Sequence, residues 1–389
     1  MRGDYMANQF IMPKRIISGE NALNESKAYL KNFGKRVLIV TDKVMTDLGN
    51  VKVLTDVLDS ENIGHVLYNE INSEPTDTMI EKGIKLYKEN QCDFLIGLGG
   101  GSPIDSTKAI GAMITNRGKI SDYMGREIEK KLPPFAVIPT TAGTGSEATQ
   151  FTIITDTKND VKMLLKGANL LPNLAIVDPR FTMTAPAKIT AATGLDALTH
   201  AIEAYTSRKA QPLSDSFAVS AVKRIFKYLP IAFDTPKDLK AREEMSIAAL
   251  EAGIAFNNSS VTIVHGMSRP IGALFHVPHG LSNAMLLEAC FTYVVDGAYD
   301  RFAQLAKEIN IANDNMSDEE AAKAFIDEVV KLMVKLEIPT LEEFGVDKTK
   351  FFDNIEKMAA DAMESGSPSN TRKIIEVDDV IKIYNNLWR

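Results

Sequence analysis

A rhythm of short apolar runs separated by amphipathic stretches restricts the fold most, and it stops near residue 185. Residues 36–41 (RVLIVT), 65–68, 94–97 and 135–138 are apolar almost without interruption. A strand reads this way when both its faces are covered, which is the situation inside a parallel sheet. Between these runs, the stretch ending near Ser60 and residues 76–90 carry apolar residues at helical spacing. Strands and helices alternating at this interval imply right-handed crossovers packed on one sheet. Residues 9–18 read as an earlier strand broken by Pro13, and therefore an edge or a bulge. Residues 151–155, 161–165 and 174–177 read as further short strands.

After Pro186 the β pattern disappears. Residues 190–207, 214–227, 241–256, 319–336 and 377–386 place apolar residues three or four apart, as helices do. The expected fold is therefore an α/β, Rossmann-like domain over residues 1–185. An all-α domain follows over residues 186–389. A chain of 389 residues is long enough for two such cores.

Composition narrows the partners. A net charge of −7 gives no basic footprint for nucleic acid. No window approaches a membrane-spanning length of apolar residues, and the first residues carry no run resembling a secretory signal. Cys92 and Cys290 form no metal or redox spacing and fit a reducing compartment. The expectation is a soluble cytoplasmic protein whose partner is a small molecule, with neither nucleic acid nor membrane.

Two turns stand out where strands end. The first is Gly97-Leu98-Gly99-Gly100-Gly101-Ser102, followed by Pro103 and a predicted helix over 103–114. Glycines let a backbone approach a ligand, and the free N–H groups of a helix start attract phosphate. Ser102 stands where the third glycine of G-x-G-x-x-G belongs, so this is a pyrophosphate cradle of a different pattern. The second is Pro139-Thr140-Thr141-Ala142-Gly143-Thr144-Gly145-Ser146-Glu147, dense in hydroxyl donors for phosphate or ribose.

Histidine is scarce and clustered. Of five histidines, His200, His265, His276 and His279 lie in the helical half, and Asp196 precedes His200 by four residues. An i, i+4 pair on a helix projects from one face, so Asp196 and His200 can grip one ion, with His265 and His279 completing its shell. One carboxylate and three imidazoles suit Fe(II) or Zn(II) and suit calcium or magnesium poorly.

Taken with these turns and this cluster, the chain resembles the iron-dependent (group III) alcohol dehydrogenases over nearly its whole length. The nearest branch in character includes lactaldehyde reductase and 1,3-propanediol dehydrogenase, with a sulfoacetaldehyde reductase-type member also in view. The residues that carry the resemblance are Gly99-Gly-Gly-Ser-Pro-Ile-Asp105, Pro139-Thr-Thr-Ala-Gly-Thr144, Ala192-Thr-Gly-Leu-Asp-Ala-Leu-Thr-His-Ala-Ile-Glu203 and Val277-Pro-His-Gly280. The resemblance implies a metal, Fe(II) or else Zn(II) or Mn(II), on Asp196, His200, His265 and His279. It implies NAD contacts at Asp42, Gly99, Gly100, Ser102, Asp105, Thr140, Thr141, Thr144 and Lys162. Asp42, as a carboxylate at a strand end, favours NAD over NADP by repelling a 2′-phosphate. By the same analogy the protein is a homodimer.

Two positions depart from the family pattern. The stretch His265-Gly266-Met267-Ser268-Arg269 places an arginine where the family carries a second histidine. A guanidinium one turn beyond a ligand points to an anionic substrate: a short sulfonated, phosphonated or carboxylated aldehyde. Otherwise Arg269 turns to a carboxylate of the chain itself or to the cofactor. His276 is the second departure: a substrate contact or proton carrier, or a plain surface histidine. The expected reaction is hydride transfer between nicotinamide and an aldehyde or alcohol. The alternatives are a neutral diol or alcohol substrate, a lyase resembling 3-dehydroquinate synthase, and a non-catalytic metal-storage or filament protein.

Overall fold

Successive side chains of a strand point to opposite faces, and in the central strands of this protein both faces are buried. The strand over residues 64–68, by contrast, lies at the sheet edge with only Tyr68 buried, contrary to its apolar reading. The computed structural model describes residues 7–159 and 161–388. Its strands are β1 (Ile16–Ser18), β2 (Arg36–Val40), β3 (Gly64–Tyr68), β4 (Phe94–Gly99), β5 (Phe135–Pro139), β6 (Phe151–Asp156), β7 (Val161–Lys166) and β8 (Leu174–Val177). On β2, Val37 and Ile39 join one apolar core with Leu54, Leu58, Phe94 and Ile96. Leu38 and Val40 join the other, with Leu95, Ile104, Ile110 and Val137. That two-sided burial is why these strands are written almost wholly in apolar residues.

The sheet is parallel throughout, in the order β1-β8-β5-β4-β2-β3. The chain passes from β2 to β3 on one side, then to β4 on the other, so the direction of winding reverses between β2 and β4. Ligands of open α/β sheets bind beyond the carboxyl ends of the strands at such a reversal. The residues just past those ends are Asp42 after β2, Gly99–Ser102 at the end of β4, and Thr140–Thr144 after β5. β6 and β7 stand apart as an antiparallel pair.

The early strand is shorter than its sequence suggests. Only Ile16–Ser18 pairs, at the sheet edge against β8. Residues 7–11 belong instead with the helical unit, where Ile11 N–H donates to Asn258 Oδ1 at 2.7 Å and Ile11 C=O accepts from Asn257 and Asn258. Pro13, which has no N–H, separates the two stretches. The chain divides into two compact units, one beginning at Met12 and ending at Ala185, the other formed by residues 186–388 with 7–11.

The second unit is helical. Its longer helices are Ala187–Thr206, Pro212–Asp234, Leu239–Ser259, Ile263–Phe275, His279–Val294, Tyr299–Glu308, Asp318–Lys335, Ile355–Glu364 and Val377–Asn385. Among the described residues, no single helix is long and apolar enough to cross a membrane. From Thr190 to Thr206 helix Ala187–Thr206 is buried almost throughout, Asp196, His200 and Glu203 included. Charged and polar side chains enter a core in this way only when partners wait for them.

Candidate metal centre and nucleotide cradle

Asp196 and His200 lie one turn apart on helix Ala187–Thr206. His265 sits in the first turn of Ile263–Phe275, and His279 opens His279–Val294 directly after Pro278. The third helix comes in close because residue 280 is glycine. A Cβ there would stand 2.8 Å from Ala192 O, closer than side chains approach a backbone oxygen, and 3.2 Å from Asp196 Cβ, so any other residue would push the helix away.

One ligand atom each from Asp196, His265 and His279 lies within 4.8 Å of the others. Asp196 Oδ1 is 3.7 Å from His265 Nε2 and 3.8 Å from His279 Nε2. His200 adjoins this trio without converging as fully. Its Nδ1 is 4.0 Å from Asp196 Oδ1, and its ring is stacked between Phe256 (4.2 Å) and His265 (4.4 Å). His200 Nδ1 is buried and, among the described residues, has no hydrogen-bond partner. Asp196, His200 and His265 are enclosed, whereas the His279 side chain is 47% exposed, so the cluster opens at His279.

Electrostatics agree with a cation site. Burial pushes the Asp196 carboxyl up, but the His200, His279 and His265 rings overcome it and hold it well below the ordinary range. Burial, aided by His265 and His279, pushes His200 down to about 3 against the pull of Asp196. Asp196 as a carboxylate and His200 as a neutral imidazole present lone pairs rather than protons, as a divalent transition metal requires, while at His265 burial is outweighed by Glu203 and Asp196, which raise it. The orphaned His200 nitrogen and this donor set fit Fe(II) or Zn(II).

Two further residues at the centre escape sequence reasoning. Glu203, fully buried, meets His265 Nδ1 at 2.6 Å and accepts from Thr262 Oγ1 at 2.8 Å and Val264 N–H at 2.6 Å. Asn283 Nδ2 lies 2.7 Å from Asp196 Oδ1, 3.1 Å from His265 Nε2 and 3.3 Å from His279 Nε2. The amide therefore stands at the point those three atoms share, with two hydrogens for three acceptors, while its buried Oδ1 has no partner. Their signals were present: Glu203 follows Asp196 by seven residues and Asn283 follows His279 by four, both repeats of one helix face.

Arg269 is partly buried in helix Ile263–Phe275, one turn beyond His265. Burial opposes its charge, and Glu203 is the carboxylate whose field supports it. Among the described residues its guanidinium makes no hydrogen bond or ion pair. His276 is exposed, in the left-handed conformation (φ 55°) that ends this helix, and its N–H donates to Gly272 C=O at 3.0 Å.

In the α/β unit, helix Gly101–Thr115 begins two residues before Pro103, directly on the glycine run, and no side chain caps its start. Its first N–H groups are free to face a ligand. Gly99 has φ 154°, and a Cβ there would meet Pro103 at 2.5 Å. Thr140 N–H donates to Gly99 C=O at 3.0 Å, joining the two turns. Thr141 Oγ1 lies 3.5 Å from where a Gly100 Cβ would stand; it is buried and has no partner. Thr144 and Ser102 flank the same turns, both partly buried.

The remaining predicted contacts are engaged by the chain itself. Asp42 caps helix Lys43–Asp47, accepting from Met45 N–H at 2.8 Å, and burial raises its carboxyl. Asp105 accepts from Ser146 Oγ at 2.6 Å and Ile153 N–H at 3.0 Å, fastening its helix to the second turn and to β6. Lys162, on β7, pairs with Glu74 on the surface. Lys108, missed in the sequence, is fully buried beneath this network and donates to Thr149 O, Thr149 Oγ1 and Phe151 O at 2.9, 3.0 and 2.9 Å. It follows Asp105 by three residues, which was its signal.

Comparison with known proteins covers both units. The family "Iron-containing alcohol dehydrogenase" matches residues 13–179, and "Fe-containing alcohol dehydrogenase family, C-terminal" matches residues 190–388. NAD-dependent methanol dehydrogenase of Bacillus methanolicus is 35% identical over 98% of this chain and 100% of its own. The crystal structure of a 1,3-propanediol oxidoreductase superposes with a TM-score of 0.95 at 32% identity, covering 98% of this chain and 100% of that one. Sulfoacetaldehyde reductase from Bifidobacterium kashiwanohense, solved in complex with NAD+, gives 0.88 at 29% identity over 98% and 99%. With both units matched in this way, the chain belongs to the iron-containing alcohol dehydrogenase family of oxidoreductases.

Proposed function

We propose that this protein transfers hydride between NAD(H) and a short aldehyde or alcohol bearing an anionic group, using a divalent metal held by Asp196, His200, His265 and His279. Fe(II) is the metal of choice for this donor set, with Zn(II) and Mn(II) as alternatives. NAD is assigned to Gly99, Gly100, Ser102, Thr140, Thr141 and Thr144, whose N–H and hydroxyl groups gather at the strand ends. Asp42 accepts from the adenosine ribose and disfavours a 2′-phosphate. Asp105 serves the cofactor by holding the second turn in place, and Lys162 by exchanging Glu74 for the nucleotide. When bound, the metal supplies Lewis acidity to the substrate oxygen and NAD supplies or accepts the hydride. The exposed helix-ending geometry of His276 supports a structural role there. By family analogy the enzyme is a cytoplasmic homodimer.

The observation that carries the substrate class is Arg269. A partly buried guanidinium costs stability unless an anion meets it, and among the described residues no carboxylate pairs with it, Glu203 acting only through its field. It forks naturally onto a sulfonate, phosphonate or carboxylate, fixing one end of the substrate and so orienting the carbon that reacts.

The test follows NADH absorbance with sulfoacetaldehyde, phosphonoacetaldehyde, propanal and lactaldehyde, for wild type and for Arg269→His and Arg269→Met. Truncating one partner of a desolvated charge pair costs about 2–5 kcal/mol. The variants are therefore expected to lose roughly 30-fold or more in kcat/KM for the charged aldehydes and little for the neutral ones. A wild type that prefers propanal, with no change in either variant, sinks the anionic reading and leaves a neutral alcohol or diol as substrate.

A further inference from the structure

We infer that Glu203 is a positioning residue that fixes the tautomer of His265, and through it the affinity of the centre for a divalent metal; this rests on the metal reading above. Three donors surround the Glu203 carboxylate. Thr262 Oγ1 and Val264 N–H both point at Oε1, at 2.8 and 2.6 Å, and His265 Nδ1 meets Oε2 at 2.6 Å. A carboxylate that accepts two such bonds is held ionised and has no proton to give, so Nδ1 carries the hydrogen. The other nitrogen, Nε2, is then a bare lone pair. It is the atom 3.7 Å from Asp196 Oδ1 and the one that Asn283 Nδ2 approaches at 3.1 Å.

The arrangement joins elements far apart in sequence. Glu203 is seven residues beyond Asp196 on the same helix, so one helix supplies a ligand, through Asp196, and the orientation of another ligand from a different helix. Thr262 and Val264 flank the start of the His265 helix, so its backbone is held by the same carboxylate. A hydrogen bond from the second imidazole nitrogen to a carboxylate both orients a metal-binding histidine and raises its basicity.

Glu203→Gln gives a sharp test because the amide has no free choice of orientation. The two donors at the Oε1 position select the amide oxygen, which leaves the NH2 facing His265 Nδ1. Nδ1 must then accept, and the imidazole proton moves to Nε2, where it blocks the metal. Zn(II) and Co(II) affinity of the full chain is measured by chelator competition, alongside 15N NMR of the histidines with and without metal. Loss of such a partner weakens metal binding by about 10–100-fold; that loss is expected here, with His265 protonated at Nε2 in the variant and at Nδ1 in wild type. A variant that binds metal as wild type does, or a metal-free wild type with the proton on Nε2, overturns the inference alone. Failure of wild type to bind either metal overturns the metal reading as well. The wild-type tautomer needs no variant to fold.

Discussion

Thr141 is the residue where a ligand and the fold make opposite demands. Its hydroxyl oxygen is buried beside Gly100 and has no partner among the described residues, which costs a protein roughly 1–3 kcal/mol. Valine has nearly the same shape without the oxygen. If the hydroxyl serves NAD, Thr141→Val leaves thermal stability unchanged or raises it by about 1 kcal/mol. The same change is expected to weaken NADH binding about 5–10-fold, the loss of one hydrogen bond. Calorimetric titration with NADH and a thermal melt check both signs. A variant that binds NADH as wild type does removes Thr141 from the cradle. At this scale the sequence is informative about chemistry and silent about partners. Asp196 and the histidines stand out because histidine is rare here. Glu203, Asn283 and Lys108 do not, because glutamate, asparagine and lysine are common on surfaces and only burial marks them as exceptional.

At the scale of elements, what was legible depended on how each is buried. β2, β4 and β5 read clearly because burial on both faces makes a strand continuously apolar. The helices carrying His265 and His279 could not be delimited. Ile263–Phe275 contains Pro270, and His279–Val294 is buried on so many sides that polar residues set no period. Helix Pro212–Asp234 likewise runs past residue 227 with Pro230 inside it. The link between helix Gly101–Thr115 and the second turn was also hidden, since it depends on Asp105, Lys108, Ser146 and Glu147 meeting in three dimensions. Burial pushes Lys108 down to about 8, against the carboxylates of Asp105 and Glu147. Burial pushes Glu147 up to about 7, against its backbone hydrogen bond and Lys108. Because the folded Glu147 holds its proton more tightly than the unfolded one, whose value is near 4.5, its stabilising share is complete below that pH. It is lost as pH rises through about 7. Between pH 5 and 7.5, wild type should therefore lose on the order of 2 kcal/mol relative to Glu147→Gln. Urea melts across that range measure the difference, and parallel curves for the two proteins would refute it. Lys108 contributes the opposite slope only above about pH 8, which is why the comparison stops short of it.

For the whole molecule the strongest consequence of the proposed metal assignment is mechanical. The proposed ligands come from three helices: Asp196 and His200 from Ala187–Thr206, His265 from Ile263–Phe275, and His279 from His279–Val294. An ion bonded to all of them binds the folded state and finds no such site in the unfolded chain. It then stabilises by about 2.7 kcal/mol at a hundredfold excess over its dissociation constant. For a unit of about 200 residues, each kcal/mol is worth roughly 2–4 °C. Stripping the metal with a chelator should thus lower the thermal transition by about 5–10 °C. The loss should also be local. Hydrogen exchange is expected to quicken in those three helices while β2, β4 and β5 keep their protection. NADH should do the converse, slowing exchange at Gly99–Thr115 and Thr140–Thr144 with the helical unit unchanged. If chelation leaves the melt and the exchange pattern as they were, the Asp196 cluster does not hold a structural ion. If it loosens both units equally, the ion is bound somewhere other than these three helices.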